Sequence, residues 1–156
     1  RVEAGQGFLV VVDFAHTPDA LDALLRAADE VAAGRVHVVF GCGGERDPAK
    51  RAAMGRLAAG LADRVVLTAD NSRGEATEDI IDAIVQGYGA EPAPRSRELL
   101  IEPDRRRAIA LALEGAEQGD AVVIAGKGHE TTQTTAGRTV AFDDREVARS
   151  LLEGAP

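Results

Sequence analysis

The sequence has few aromatic residues, one cysteine and no long apolar run. Aromatic residues make up 3% of the 156 residues and tryptophan is absent, so a core must be built from Ala, Val, Leu and Ile. Such a core suits parallel strands that are covered by helices. No run approaches the roughly 18 apolar residues of a membrane span, which argues against a membrane protein. The single cysteine, Cys42, cannot form an internal disulfide, and this fits a reducing cytoplasm.

Basic residues are also scarce. The net charge is −8, and lysine occurs only at Lys50 and Lys127. Nonspecific nucleic-acid binding requires a basic face, so this class of function is disfavoured. The sequence also lacks zinc-ligand spacing, a Ser/His/Asp set and the Gly-Lys-Ser/Thr ending of a Walker loop. We therefore expect neither a metal site nor a complete catalytic centre in it.

Apolar segments alternate with helical patterns along the whole chain, which is typical of a parallel sheet. The predicted strands are Phe8–Val12, Val36–Phe40, Arg64–Thr68, Leu99–Ile101 and Ala121–Ala125. β-Branched residues on both sides of Ala136-Gly137 predict a hairpin over residues 131–142. We predict one α/β domain, residues 1–156, with a Rossmann-like, doubly wound, mostly parallel sheet of about six strands, in which the C-terminal hairpin adds an antiparallel strand.

Four polar or glycine-rich segments each follow directly after a predicted strand. They are Asp13-Phe14-Ala15-His16-Thr17, Gly41-Cys42-Gly43-Gly44-Glu45-Arg46-Asp47, Asp70-Asn71-Ser72-Arg73 and Gly126-Lys127-Gly128-His129-Glu130. The carboxyl ends of parallel strands share one edge of an open sheet, and ligands bind in the crevice there. We therefore expect the four segments to meet in one ligand-binding crevice.

The first two segments allow either a structural or a ligand-binding interpretation. Thr17 is predicted to be a helix N-cap, whereas Asp13 is suited both to capping and to holding a ribose or Mg²⁺. His16 is a candidate nucleotide contact. The glycines of residues 41–44 could form a tight turn or let the backbone approach an anion at a helix N-terminus. We interpret Cys42 as a small buried residue, because no base is evident beside it.

The other polar residues fit a zwitterionic ligand. Arg46 and Arg73 each follow a strand within a polar cluster, and a guanidinium group matches a carboxylate with two parallel hydrogen bonds. Together with Asn71 and Glu130, they would form a site in which the arginines bind a carboxylate and the glutamate binds an ammonium group. The alternative is that both arginines are solvated surface charges.

The four motifs, in this order, resemble the C-terminal domain of Mur ligases of the MurE type. The resemblance extends from Arg1 to about Leu152, nearly the whole chain. It implies a bacterial, cytoplasmic, ATP-dependent amide ligase of peptidoglycan synthesis. In this family ATP phosphorylates a carboxylate of UDP-MurNAc-L-Ala-D-Glu, and the amine of a diamino acid, here meso-diaminopimelate, then attacks. The resemblance also implies two preceding domains, one that binds the uridine nucleotide and one that carries a P-loop and most of the Mg²⁺ ligands. The domain alone would then be inactive.

The resemblance also implies roles for individual residues. The residues that match ATP contacts of the family are Arg1, Asp13 and His16. The residues that match its amino-acid contacts are Arg46, Asp70, Asn71, Arg73, Gly126 and Glu130. Among these, Arg73 would pair with the distal carboxylate of diaminopimelate, which lysine lacks.

Two residues depart from the family pattern. Ser72 stands where the motif has proline, which we expect to loosen the loop but to keep Asp70, Asn71 and Arg73 in register. Phe14 stands where the family usually has tyrosine. The first departure leaves L-lysine, ornithine or a specialised-metabolite amine open as the amino acid that is added. A hypothesis of another class is a free-standing module that binds an amino acid or a nucleotide.

Overall fold

The computed structural model describes residues 1–154 and contains a five-stranded parallel sheet with helices on both faces. The elements are β1 (Leu9–Asp13), α1 (Pro18–Val31), β2 (Val36–Phe40), α2 (Ala49–Leu61), β3 (Arg64–Leu67), α3 (Thr77–Gly89), β4 (Glu98–Ile101), α4 (Arg105–Glu114), β5 (Ala121–Ala125), β6 (Thr132–Thr135), β7 (Arg138–Ala141) and α5 (Asp144–Leu152). The strand order is β1-β5-β2-β3-β4, with every neighbouring pair parallel. The predicted Rossmann-like α/β class is confirmed. Each helix among the described residues is too short or too polar to span a bilayer.

Successive strands are added to the sheet first in one direction and then in the other, and this change of direction puts helices on both faces. From β1 it proceeds outward to β4, and α1, α2 and α3 pack on one face. It then returns through α4 on the other face, inserts β5 between β1 and β2, and ends with α5 on that same face. Right-handed crossovers require this change of face when the direction reverses. Each face of the sheet packs against its helices in a separate hydrophobic core. Successive strand residues point to opposite faces, so that in β2 Val38 lies in one core and Val39 in the other.

The hairpin of β6 and β7 is a separate two-stranded antiparallel sheet. This corrects the expectation that it adds a sixth strand to the main sheet. Instead, β6 is bonded to the loop that follows β3: Gln133 Nε2 donates to Asp70 O at 3.1 Å, and Arg73 N donates to Thr134 O at 3.0 Å. Strand β6 thus forms hydrogen bonds with residues 70–73 and not with an edge strand of the main sheet. These bonds hold the loop in place.

A buried arginine connects the ends of two strands to a helix. Arg105 is 1% exposed, and its guanidinium group donates to Ala69 O at 3.0 Å and to Ala125 O at 3.1 Å. It also makes two bonds to the fully buried carboxylate of Asp144, at 2.8 and 2.7 Å. The backbone just after β3, the last residue of β5 and the first residue of α5 are therefore held by one side chain.

This arrangement predicts a large loss of stability on removal of the guanidinium group. Arg105→Met leaves the Asp144 carboxylate buried without a counter-charge, so we expect the free energy of unfolding to fall by about 3–5 kcal/mol. Urea denaturation measures it. The control is Arg107→Ala in the same helix, whose side chain is 75% exposed; this change should cost about 1 kcal/mol or less. Equal losses of unfolding free energy in the two variants would contradict the structural role of the Arg105–Asp144 ion pair.

Candidate functional site

The four polar segments meet at the carboxyl edge of the sheet around a cavity of about 310 Å³. The cavity is lined by Phe14, His16, Gly41, Cys42, Gly43, Arg46, Lys50, Asp70, Asn71, Arg73, Gly126 and Glu130. All six residues that sequence reasoning assigned to amino-acid binding border it, together with His16. Their convergence follows from the parallel sheet, since each segment leaves the carboxyl end of a strand.

Two predicted ATP contacts lie elsewhere. Asp13 is the last residue of β1, and its carboxylate accepts a hydrogen bond from Ala15 N at 2.8 Å, so it organises the turn into α1. Arg1 is exposed and pairs with Glu3 at 2.9 Å, near the amino end of β1. Neither residue is among those of residues 1–154 that line the cavity. Their roles in ATP binding stay predictions that rest on the resemblance.

The glycine loop after β2 packs against the loop after β3. Gly44 N donates to Asn71 O at 2.8 Å. A Cβ atom on Gly44 would lie 1.9 Å from Ser72 O, so a larger residue there would push the two loops apart. Glycine is required at this position by the close approach of the protein's own backbone, and this differs from both sequence interpretations, a tight turn or the approach of an anion.

An ion pair that sequence reasoning missed holds the same two loops. Arg51 of α2 makes two bonds to Glu75, at 2.7 and 2.8 Å, and one to Gly43 O at 3.3 Å. The bonds from Arg51, and a further one from Glu45 N, lower the pKa of Glu75 to about 2. The signal was present in the sequence, because Arg51 lies three residues before the buried Met54 on the inward face of α2.

The two arginines that are predicted to bind a carboxylate, Arg46 and Arg73, both lie next to Gly43. A Cβ atom there would be 3.1 Å from Arg73 Nη1 and 3.5 Å from Arg46 Cγ. Arg73 has φ 54° and uses Nη1 to bind Gly44 O at 2.8 Å and Asn71 O at 3.2 Å. Within residues 1–154, neither arginine forms a salt bridge with a carboxylate. Both charges are thus available to an anionic ligand.

Asp70 and Gly126 form the part of the cavity wall between β3 and β5. The Asp70 carboxylate is buried and accepts a hydrogen bond from Asn71 N at 2.6 Å. Gly126 has φ 113°, and a Cβ atom there would lie 2.5 Å from Asp70 Oδ2. Glycine is therefore required at residue 126 both by its backbone conformation and by the neighbouring carboxylate.

On the other side of the cavity, Asn71 contacts Glu130 and a buried lysine. Asn71 Nδ2 donates to Glu130 Oε2 at 2.9 Å, and Lys127 Nζ donates to the same oxygen at 3.3 Å. Lys127 is 0% exposed. Sequence reasoning assigned it no role, although its position between two glycines, in a chain with only one other lysine, was a signal.

The mouth of the cavity carries an exposed aromatic cluster. Phe14 is 43% exposed, and its ring centroid lies 4.4 Å from that of His16 and 5.6 Å from that of His129. His16 Nδ1 is 2.7 Å from Phe14 O, so this nitrogen carries the proton and Nε2 can accept a hydrogen bond from a ligand when the ring is neutral. Lys50, the other lysine, donates to His16 O at 2.9 Å.

The interpretations of Cys42 and Ser72 have different outcomes. Cys42 is 3% exposed, and burial raises the pKa of its thiol to about 12, so the prediction of a small buried residue is confirmed. Ser72 was expected to loosen the loop. Instead it is buried, and its hydroxyl accepts a hydrogen bond from Thr77 Oγ1 at 2.9 Å. Asn71 and Arg73 therefore stay at the cavity although proline is absent.

The Arg51–Glu75 pair predicts a defined pH dependence. The pKa of Glu75 in the folded chain, about 2, is below its usual value of 4.5, so the pair contributes stability above pH 4.5 and loses it as the pH falls towards 2. We expect wild type to exceed Glu75→Gln in unfolding free energy by a constant amount at neutral pH, and the difference to shrink between pH 4.5 and 2. Glu114→Gln, at the exposed end of α4, is the control and should show no such loss. A difference that is independent of pH would contradict the ion pair.

Comparison with known proteins shows which family this chain resembles in sequence and in fold. The family model described as Mur ligase, glutamate ligase domain, matches residues 1–128. Proteins named UDP-N-acetylmuramoyl-L-alanyl-D-glutamate--2,6-diaminopimelate ligase from Thermosynechococcus vestitus and Streptomyces coelicolor are 50% and 46% identical to this chain, each over 98% of the chain and 30% of the relative. A solved structure of a ligase with that name matches with a TM-score of 0.89 at 41% identity, over 99% of this chain and 31% of the other. The chain thus spans about a third of the length of these proteins. It belongs to the Mur ligase family, and residues 1–128 correspond to the glutamate ligase domain of that family.

Proposed function

We propose that this chain is the amino-acid-binding part of an ATP-dependent ligase that joins meso-diaminopimelate to UDP-MurNAc-L-Ala-D-Glu in peptidoglycan synthesis. The observation that carries the proposal is the pair of guanidinium groups, Arg46 and Arg73, that border one cavity without a carboxylate partner among residues 1–154. Diaminopimelate ligase is the printed name of the relatives described above. The chain covers 30% of their length, so the other steps of the reaction would use residues outside it.

The charges around the cavity suit a diamino acid with two carboxylates. The remaining donors of Arg73, Nε and Nη2, are suited to bind a carboxylate with two parallel bonds. Glu130 is an acceptor for an ammonium group, and the second Nδ2 hydrogen of Asn71 is a donor for a carboxylate oxygen. L-Lysine would leave Arg73 without its partner, and the loss of one buried charge-assisted pair costs on the order of 2–5 kcal/mol. Since Ser72 leaves Asn71 and Arg73 at the cavity, the structure gives no reason to prefer lysine or ornithine.

ATP would activate the carboxylate of the UDP-linked substrate. The residues beside the cavity are compatible with a nucleotide, because the exposed ring of Phe14 offers a stacking surface and His16 Nε2 offers a hydrogen-bond acceptor. The family resemblance implies a preceding domain that carries a P-loop and most of the Mg²⁺ ligands. We assign the Mg²⁺ that accompanies ATP to that domain of the same protein.

The part played by this chain would be to bind the amino acid and close the reaction site. A P-loop domain and a UDP-binding domain would complete the enzyme, which acts in the bacterial cytoplasm. Closure would bring the amine to the activated carboxylate and exclude water, which would otherwise hydrolyse it. No residue of this chain is assigned a catalytic role, and the chain alone would be inactive.

Arg73→Ala tests the proposal in the full-length ligase. We expect the variant to lose roughly 100-fold or more in kcat/KM with meso-diaminopimelate, because the distal carboxylate loses its charged partner. The rate with L-lysine, already low in wild type, should change little. Arg149→Ala, exposed on the last turn of α5, is the control and should match wild type. Equal turnover of the two amino acids by wild type, or full activity of Arg73→Ala on diaminopimelate, would refute the proposed substrate.

A further inference from the structure

Lys127 is a buried cation whose partners belong to the cavity wall and the adjoining hairpin. Its ammonium group donates to Asn71 Oδ1 at 3.3 Å, to Glu130 Oε2 at 3.3 Å and to Thr132 O. Three donors thus meet three acceptors, as the burial of an ammonium group requires. Because Lys127 is 0% exposed and does not line the cavity within the described chain, any effect on a ligand must pass through these partners.

The first of these partners is the side-chain amide of Asn71, whose orientation is fixed. Its Oδ1 accepts from Lys127 Nζ and from Thr134 N, the second at 2.9 Å. Both groups are donors only, so a flipped amide would turn its NH₂ group against two donors. The oxygen must therefore face Lys127, and Nδ2 must face Glu130.

The carboxylate of Glu130 is oriented by the same contacts. Oε2 accepts both from Asn71 Nδ2 at 2.9 Å and from Lys127 Nζ at 3.3 Å. No partner of Oε1 is present among residues 1–154, and the Glu130 side chain is 34% exposed at the cavity. One oxygen is thus held by the protein, and the other is left for a ligand.

We propose that Lys127 is a positioning residue for the amino-acid site: it fixes the amide of Asn71 and directs the free oxygen of Glu130 into the cavity. The orientation itself is a property of this chain. Its effect on diamino-acid binding rests on the proposed function. The two parts therefore need separate measurements.

The orientation can be tested by nuclear magnetic resonance on this chain, because Asn71 is its only asparagine. Labelling with side-chain ¹⁵N-asparagine gives the two N–H signals of a single NH₂ group. In wild type we expect a rigid NH₂ group, with one hydrogen protected from exchange by its bond to Glu130. In Lys127→Met the amide oxygen loses one of its two donors and keeps the bond from Thr134 N, so the group should be more mobile than in wild type and the protected hydrogen should exchange faster. Arg149→Met, which removes an exposed cation on α5 that does not line the cavity, is the control and should leave the Asn71 signals unchanged.

The consequence for binding is tested in the full-length ligase. We expect Lys127→Met to raise KM for the diamino acid roughly tenfold or more, because two groups that contact it lose their orientation. KM for ATP should stay unchanged. Val39→Ala, a buried change in β2, controls for a general loss of stability and should leave KM for the diamino acid unchanged.

The outcomes separate the two parts. A mobile Asn71 side chain in wild type overturns the positioning role even if Lys127→Met does not fold. An Asn71 side chain that is as rigid in folded Lys127→Met as in wild type overturns it as well, as does an unchanged KM for the diamino acid. If Asn71 is rigid in wild type and released in the variant, while the wild-type ligase uses no diamino acid, the positioning role of Lys127 stands and the proposed function fails.

Discussion

The guanidinium group of Arg105 holds the backbone from which two of the four site segments begin. It bonds to Ala69 O, directly before Asp70, and to Ala125 O, directly before Gly126, while Asp144 neutralises its charge. The distance between these segments is therefore set by a buried ion pair and not by the loops themselves. A buried pair of this kind adds little net stability compared with apolar packing, but it costs a great deal to break, and so it favours one arrangement of the two strand ends.

Elsewhere in the site, other buried or half-buried charges also hold neighbouring loops together. Arg51 and Glu75 join the loops after β2 and β3, and Lys127 joins the loops after β3 and β5 to the hairpin. Each of these charges is compensated inside the protein. Arg46 and Arg73 are different, because no carboxylate among residues 1–154 pairs with them. In a chain of net charge −8, Arg46 and Arg73 at one cavity are the feature that an amino acid with two carboxylates would complete.

Sequence patterns predicted the fold and the location of the site, but not what supports the site. Strands β2 and β5 lie at the predicted residues, because continuous apolar runs are diagnostic of strands buried on both faces. The convergence of the residues that are predicted to bind an amino acid followed from parallel topology. Arg51, Arg105 and Lys127 were missed as supports, because the burial of a charged residue depends on partners far away in sequence. The local signals at Arg51 and Lys127 do not identify those partners. The hairpin was recognised from its turn, but its place depends on bonds to residues 70–73, which become visible only in three dimensions.

We propose that the carboxyl edge of this sheet binds a diamino acid through Arg73 at one end and Glu130 at the other. The most direct test is a crystal structure of the full-length protein with meso-diaminopimelate. We expect the distal carboxylate within hydrogen-bond distance of Arg73 and an ammonium group against Glu130, both inside the cavity between residues 41–46 and residues 70–73. Diaminopimelate bound elsewhere, or bound in the cavity with neither carboxylate near Arg73, would contradict it.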